Sequence, residues 1–231
     1  MSRVIAVLID LDGTLMDTAP DLAAAVNRMR RDFGMPDLPV SRIAEFVGKG
    51  AGILIHRALT DDLDGRAEPS LFGQAQAIFY RHYHEVNGLE TVVFDQVPEA
   101  LRMLLGAGLR LACVTNKPRE FTLPLLERLR LADCFAAVVA GDDVQEAKPH
   151  PALLLAACDR LGVDTKSALM IGDSINDVLA ARAAGMPTVL VETGYNEGGP
   201  VAALRREPGV ETVVPTLFEA ARYLLERRVR S

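Results

Sequence analysis

Cysteine and histidine are scarce in this chain of 231 residues. The three cysteines, Cys113, Cys134 and Cys158, lie in apolar stretches and show no CxxC spacing. We therefore expect small core residues in a reducing compartment, and neither a disulfide framework nor a zinc site. Of the four histidines, His82 and His84 lie two residues apart, which on a helix directs them to different sides. A histidine metal site is not expected.

Long hydrophobic runs and an excess of positive charge are also missing. No stretch approaches the roughly 18 apolar residues that a membrane span needs. The apolar run at residues 4–9 is too short for a signal peptide and ends in Asp10 and Asp12, which predicts a cytoplasmic protein. The net charge of −6 disfavours nucleic acid and anionic membranes as partners. An anionic substrate would need local positive charge from a metal, a lysine or backbone amides.

Short apolar runs alternate with segments of helical periodicity along most of the chain. The predicted strands, buried on both faces, cover residues 4–9, 109–114, 136–140, 168–171 and 188–191. The predicted helices cover residues 98–106, 119–129, 151–161, 176–184 and 217–228. This alternation predicts an α/β fold with a doubly wound, mainly parallel sheet, that is, a Rossmann-like core.

Residues 17–88 interrupt the alternation. They contain candidate helices at 20–33, 51–59 and 70–86 and no convincing strand. We predict a helical cap domain at residues 17–88, inserted into a catalytic core formed by residues 1–16 and 89–231. Clefts between domains are frequent ligand sites, so the cap is a candidate lid.

Two acidic motifs follow predicted strands. Asp10 and Asp12 belong to the motif DLDGT, and Asp173 and Asp177 to the motif GDSIND. Ligands bind at the carboxyl ends of strands in open α/β sheets, where such carboxylates could share a metal. The alternative interpretations are an Asp-Gly turn for the first motif and a helix cap for the second.

Two polar motifs stand at comparable positions. Thr115 and Asn116 end the run at 109–114, where a hydroxyl and backbone amides can bind phosphoryl oxygens, although both residues are also common in plain turns. Lys148 precedes a predicted helix and is followed by Pro149 and Pro151, which restrict its backbone. A solvated surface lysine is the alternative there.

Taken together and in this order, the four motifs resemble those of the haloacid dehalogenase superfamily. Asp10, Asp12, Thr115, Lys148 and Asp173 stand at the motif positions, and the helical insertion falls where many members carry a cap. The resemblance implies that Asp10 is a nucleophile forming an aspartyl phosphate and that Asp12 is the general acid and base.

The same resemblance implies the cofactor and the phosphate ligands. Mg²⁺ would be held by Asp10, the main-chain carbonyl of Asp12 and Asp173, with Asp177 as a neighbour that fixes the ligand shell. The phosphoryl group would be bound by Thr115, Asn116 and Lys148. Dehalogenases of the superfamily lack an aspartate at the position of Asp12, so its presence favours phosphoryl transfer.

Within the superfamily, the chain resembles bacterial phosphoglycolate phosphatases. The shared segments are residues 114–117 (VTNK), 148–151 (KPHP), 194–196 (GYN) and 47–51 (VGKGA). The resemblance implies hydrolysis of 2-phosphoglycolate to glycolate and phosphate. The group often continues GYN with Tyr-Gly, whereas this chain has Glu197 and Gly198, which puts the substrate in doubt. Lys49 is a candidate cap contact for the substrate carboxylate, or else a solvated lysine.

Other functions remain open from the sequence. They are a phosphatase or mutase for a sugar phosphate, including a cell-wall amino-sugar phosphate, and a phosphonate hydrolase in which Lys49 forms a Schiff base. A non-catalytic binding module of the same fold is a further class. The expected partner is a small phosphorylated metabolite, without nucleic acid or membrane, bound by a monomer or homodimer.

Overall fold

The computed structural model describes residues 4–230, with side chains to residue 228. The predicted core begins at residue 1 and ends at 231, and both of these positions lie outside the described residues. The strands are β1 (Ala6–Ile9), β2 (Met16–Asp17), β3 (Val92–Val93), β4 (Arg110–Val114), β5 (Ala137–Val139), β6 (Ala168–Gly172), β7 (Thr188–Val191) and β8 (Val210–Val214). The α-helices are α1 (Ala19–Asp32), α2 (Val40–Glu45), α3 (Gly50–Thr60), α4 (Pro69–Val86), α5 (Val97–Gly106), α6 (Arg119–Arg128), α7 (Ala152–Leu161), α8 (Ile175–Ala183) and α9 (Leu217–Arg230).

The central sheet is parallel and has the strand order β5-β4-β1-β6-β7-β8. Strand β1 lies between β4 and β6 and is fully buried, which is why its sequence is continuously apolar. Val7 and Ile9 face a layer that includes α5 and α9, whereas Ala6 and Leu8 face a layer formed by α7 and α8. Helices thus cover both faces, and the α/β fold class predicted from the sequence is confirmed.

A group of helices, α1 to α4, lies between the short antiparallel strands β2 and β3. Their apolar faces meet in a separate cluster that includes Met29, Phe46, Ile55, Phe79 and Tyr83. In α1, arginines occupy the last turn, where positive charge interacts favourably with the helix dipole. We call this helical layer the cap and the sheet with its helices the core.

The two chain segments that join cap and core are tied together by Asp21. Its carboxylate is buried and accepts hydrogen bonds from the backbone N–H groups of Gly88, Glu90 and Thr91. The Thr91 hydroxyl donates to it as well. Because several donors bond to this buried carboxylate, it fixes the two chain segments that join cap and core relative to each other.

Four of these strands and helices were not predicted from the sequence: the two-residue strands β2 and β3, strand β8 and helix α2. Strand β8 is an edge strand with only β7 beside it, so its residues are half-buried and its sequence, VETVV, includes a charge. Helix α2 has six residues and follows Pro39, too short for a helical period to show. Among residues 4–230, no helix has the length and apolar character to span a membrane.

Candidate active site

Asp10 directly follows β1, and Lys148 is bound to it. The Lys148 ammonium lies 2.8 Å from Asp10 Oδ1, 2.7 Å from Asp177 Oδ1 and 3.0 Å from the carbonyl oxygen of Val114. Asp10 and Lys148 are 8% and 3% exposed, so this is not a solvated surface lysine. Because β1, β4 and β6 are parallel, the motifs that follow them end at the same side of the sheet. These motifs contain Asp10, Thr115 and Asp173.

Asp173 and Asp177 lie beside this pair, at the carboxyl end of β6. Asp177 Oδ2 accepts hydrogen bonds from the backbone N–H groups of Asp173 and Ser174 and from the Ser174 hydroxyl. Asp177 therefore caps α8 with one oxygen and binds Lys148 with the other. Asp173 accepts from the Thr14 hydroxyl at 3.1 Å and from the backbone N–H of Tyr195 at 2.9 Å.

Three buried carboxylates thus meet at one point. Oxygens of Asp10, Asp173 and Asp177 lie within 4.8 Å of one another. Burial raises the pKa of Asp10 to about 7, with Lys148 opposing the shift, and burial together with Asp177 and Asp10 raises the pKa of Asp173. A bound cation would relieve this repulsion, and carboxylate oxygens are the donors that hard cations prefer. The cluster could hold a metal ion.

Glycines allow the neighbouring loops to pack against Asp173. A Cβ atom on Gly194 would lie 1.9 Å from Asp173 Oδ2, and one on Gly13 would lie 2.7 Å from the same oxygen. Gly13 also has φ +85°, in the left-handed region. These two positions accept no side chain without moving the carboxylate.

Asp12 is turned away from the acidic cluster. Its Oδ1 accepts a hydrogen bond from the Thr18 hydroxyl at 2.6 Å and one from the Lys117 ammonium at 2.8 Å. Lys117 is 5% exposed. The two carboxylates of the first motif thus have different partners. Asp10 contacts Lys148 and the acidic cluster, whereas Asp12 contacts Lys117 and Thr18. Such a difference allows different chemical roles.

The loop after β4 joins these groups to the cap. Thr115 is buried, and its hydroxyl accepts a hydrogen bond from the backbone N–H of Lys117. The Asn116 side-chain amide donates to the carbonyl oxygens of Lys148 and Gly48, and its Oδ1 accepts from the Lys148 N–H, each at 2.8 Å. The Asn116 side chain is therefore occupied in joining two core loops and the cap, which leaves its backbone amide as its candidate phosphate ligand.

A cavity opens between these residues and the cap. On the core side it is lined by Asp10, Asp12, Thr115, Asn116, Lys117 and Pro118. On the cap side it is lined by Leu22, Val47, Gly48, Gly50, Ala51, Leu54, Phe79 and Tyr83. The polar end is thus formed by the motif residues and the opposite wall is largely apolar.

Lys49, the predicted cap contact for the substrate carboxylate, is not among the residues that line the cavity. Its ammonium lies 2.8 Å from Glu197 Oε1, on the core loop after β7, and its neighbours Gly48 and Gly50 line the cavity instead. Arg57, a buried arginine of the cap, donates to the same Glu197 oxygen. The acidic residue at position 197 draws Lys49 away from the position that we expected for it.

The chain matches one protein family over most of its length. Residues 7–191 match the family described as haloacid dehalogenase-like hydrolase. The chain belongs to this family. The resemblance inferred from the four motifs is therefore confirmed.

Relatives of this haloacid dehalogenase-like hydrolase carry one recurring name. Phosphoglycolate phosphatase of Nitrosospira multiformis is 45% identical over 219 residues, and the aligned region covers 95% of each of the two chains. Phosphoglycolate phosphatase of Thiobacillus denitrificans is 45% identical over 216 residues, covering 94% of this chain and 93% of that one. The crystal structure of a predicted phosphoglycolate phosphatase from Haemophilus somnus superposes with a TM-score of 0.87 at 29% identity, covering 96% and 99% of the two chains.

Several polar residues of the site were not identified from the sequence. Thr18 and Lys117 bind Asp12, and the Tyr195 hydroxyl donates to Asp17 at 2.6 Å while it accepts from the backbone N–H of Thr18 at 2.9 Å. Lys117 stands two residues after Thr115, and Tyr195 belongs to the GYN segment, so both were close to recognised motifs. Their partners are distant along the chain, and only the folded arrangement reveals them.

Proposed function

We propose that this haloacid dehalogenase-like hydrolase is a Mg²⁺-dependent phosphatase that converts 2-phosphoglycolate to glycolate and phosphate through a phosphorylated Asp10. The observation that carries the proposal is the buried cluster of Asp10, Lys148 and Asp173, in which Asp10 also lines a cavity covered by the cap. The names of the relatives supply the substrate.

The residues of the acidic cluster fit a bound Mg²⁺. Asp10 and Asp173 offer carboxylate oxygens, the main-chain carbonyl of Asp12 would add a third protein ligand, and Asp177 orients the loop. Burial raises the pKa of Asp10 and of Asp173, with the neighbouring carboxylates adding to both shifts, and a bound cation would oppose them. When bound, the ion would supply positive charge that offsets repulsion between these carboxylates and the substrate phosphate.

In the first chemical step, a carboxylate oxygen of Asp10 attacks phosphorus and the bond from phosphorus to the leaving oxygen breaks. Lys148, 2.8 Å from Asp10, stabilises the ionised nucleophile and the phosphoryl group that it receives. Asp12 donates a proton to the leaving oxygen, so that glycolate departs as an alcohol.

In the second step, Asp12 accepts a proton from a water molecule, which attacks phosphorus and releases phosphate from Asp10. Thr18 and Lys117 hold Asp12 through its Oδ1, so the reaction would use Oδ2. The Thr115 hydroxyl, the backbone amide of Asn116 and the ammonium of Lys148 bind the remaining phosphoryl oxygens. Since each group is fixed by its neighbours, little reorganisation is required at the moment of reaction.

The cap-side wall of the cavity favours a small substrate. Leu22, Val47, Leu54 and Phe79 offer no hydrogen bonds to the hydroxyl groups of a sugar. A sugar bound there would lose its hydration without compensation. This wall argues for 2-phosphoglycolate and against the sugar-phosphate phosphatase or mutase.

The proposal is tested by phosphate release from 2-phosphoglycolate, several sugar phosphates, nucleotides and pyrophosphate, with Mg²⁺ and with a chelator. We expect Mg²⁺-dependent turnover and a preference for 2-phosphoglycolate of at least about a hundredfold in kcat/KM, or about 2.7 kcal/mol. A flat profile or a preference for sugar phosphates would reject the substrate, and the absence of turnover would reject the phosphatase.

A further inference from the structure

A lysine and a tyrosine without an assigned role in binding the substrate lie together in the catalytic cavity. Lys117 follows β4 in the core, and Tyr83 belongs to helix α4 of the cap. Both line the cavity, and they are 5% and 2% exposed. The Lys117 ammonium lies 5.2 Å from the centre of the Tyr83 ring. Core and cap therefore each bring one hydrogen-bond donor to the same part of the cavity.

The Tyr83 hydroxyl makes no well-formed hydrogen bond within the described part of the chain, although it is buried. Its one polar neighbour with which it interacts directly is the Lys117 ammonium. Buried polar groups are normally hydrogen-bonded, because water is lost on burial and must be replaced. A tyrosine that lines a substrate cavity and whose hydroxyl makes no well-formed hydrogen bond is suited to donate to a ligand.

Lys117 is the one cationic side chain among the described residues that line the cavity. The cap-side residues around it include Leu22, Val47, Leu54 and Phe79. A negative charge on the non-phosphate end of a substrate would be costly against this hydrocarbon wall unless a cation met it. Within the cavity, Lys117 is the cation available.

The hydrogen bond between Lys117 and Asp12 sets the position of the ammonium relative to the leaving oxygen. Lys117 binds Oδ1 of Asp12, and the proposed proton transfer uses Oδ2. In 2-phosphoglycolate one methylene separates the leaving oxygen from the carboxylate, so the carboxylate must lie close to Asp12. An ammonium has three N–H donors, and Lys117 can bind a carboxylate while it remains bonded to Asp12.

We infer that Lys117 and Tyr83 form the subsite for a carboxylate on the leaving group of the substrate. Lys117 supplies the positive charge, and the Tyr83 hydroxyl donates a hydrogen bond from the cap side. The inference rests on the proposed function and assigns its specificity to these two residues, in place of Lys49, which pairs with Glu197. The substrates that fit are short phosphate esters of 2-hydroxy acids.

The test compares two substrates that differ in the carboxylate. For each variant, kcat/KM is measured with 2-phosphoglycolate and with ethyl phosphate, and the ratio of the two values is the readout. We expect Tyr83→Phe to lower this ratio about tenfold or more, mainly through KM for 2-phosphoglycolate, since a hydrogen bond to a charged group is lost. Lys117→Met should lower the ratio about a hundredfold, and Lys117→Arg should restore part of it.

Control variants test whether a change in the ratio is specific to this subsite. Tyr80→Phe removes a hydroxyl from the same helix at a residue that is not among those lining the cavity, and it should leave the ratio unchanged. Because Lys117 also holds Asp12, Lys117→Met will slow both reactions, and only the ratio reports carboxylate binding. Thermal unfolding of Tyr83→Phe should show little loss of stability, since the hydroxyl that it removes makes no well-formed hydrogen bond.

The outcomes distinguish this inference from the proposed function. Wild-type enzyme that hydrolyses neither substrate would reject the proposed function, and the inference with it. Wild-type enzyme that hydrolyses both equally well would leave the phosphatase standing and overturn the inference. Equal losses for both substrates in Tyr83→Phe, or a larger fall of the ratio in Lys49→Met than in Lys117→Met, would also overturn it.

Discussion

At the scale of single residues, the position of Asp173 depends on what surrounds it. The Thr14 hydroxyl and the Tyr195 N–H each bond to one of its oxygens, and Gly13 and Gly194 leave the space that the carboxylate fills. Because these neighbours belong to two separate loops, after β1 and after β7, a small change in either loop moves a proposed metal ligand.

Gly194→Ala tests this dependence. The added Cβ would lie 1.9 Å from Asp173 Oδ2, so the carboxylate or the loop must shift. We expect kcat/KM to fall at least about a hundredfold, since displacements of about 1 Å have effects of this size. Gly199→Ala in the same loop is the control, because its nearest atoms lie at 3.4 Å and its φ is −84°. Equal activity of the two variants would show that the Asp173 position is not critical.

The pKa of Asp10 predicts how Mg²⁺ binding depends on pH. In the metal-free protein this pKa is raised to about 7, so the folded state binds a proton that the unfolded state releases near its ordinary value of 3.8. Folding stability of the metal-free protein should therefore decrease as the pH rises from about 4 to about 7. Mg²⁺ competes with this proton, and its affinity should increase over the upper part of the same range.

Thermal unfolding with and without Mg²⁺ measures this competition. We expect Mg²⁺ to raise Tm by more at pH 7.5 than at pH 5.5, and the Asp10→Asn variant to show a smaller gain at the higher pH. A Tm gain that is independent of pH, or unchanged in Asp10→Asn, would mean that the ion does not bind to Asp10.

At the scale of elements, strand ends proved the most informative part of the sequence. The residues that follow β1, β4 and β6 carry the motif side chains, because a buried parallel strand has a clear apolar run and a clear polar end. Edge strand β8 lacked this signal. The proximity of Tyr83 to Lys117 could not be predicted, because a tyrosine in an amphipathic helix is normally a core residue and the two residues meet only after folding.

The loop after β7 is a second element whose role emerges only from the structure. The Tyr195 hydroxyl is hydrogen-bonded to Asp17 and Thr18, in the first chain segment that joins core and cap. The Glu197 carboxylate binds two cations of the cap, Lys49 and Arg57. Although partial burial opposes it, the hydrogen bonds from Lys49 and Arg57 lower the pKa of Glu197. One core loop thus contacts the cap segment at two places, near Thr18 and at Lys49 and Arg57.

Glu197→Gln tests the contribution of this loop to stability. Arg57 is 2% exposed and would lose its anionic partner, so we expect the free energy of unfolding to fall by about 2 kcal/mol. Lys49→Met removes the more exposed cation from the same pair and should cost less than about 1 kcal/mol. Chemical denaturation of both variants gives the comparison. Equal losses of unfolding free energy in the two variants would indicate that the ion pair between Arg57 and Glu197 contributes little to stability.

At the scale of the whole molecule, the cavity exists because a helical layer covers the carboxyl edge of a parallel sheet. The core supplies Asp10, Asp12 and Thr115, and the cap supplies the apolar wall and Tyr83. The α/β class could be inferred from the alternation of apolar runs and helical segments, and the family from the order of the motifs along the chain. The shape and polarity of the cavity could not, since they depend on side chains from both layers.

The central claim is that Asp10 carries the phosphoryl group during turnover. The most direct test is acid quenching of the enzyme during reaction with 2-phosphoglycolate and Mg²⁺, followed by mass spectrometry of its peptides. We predict one additional phosphoryl group on the peptide that contains Asp10, absent from Asp10→Asn, which should also release no phosphate. Phosphate release by Asp10→Asn at the wild-type rate, or a phosphoryl group on another residue, would contradict the account.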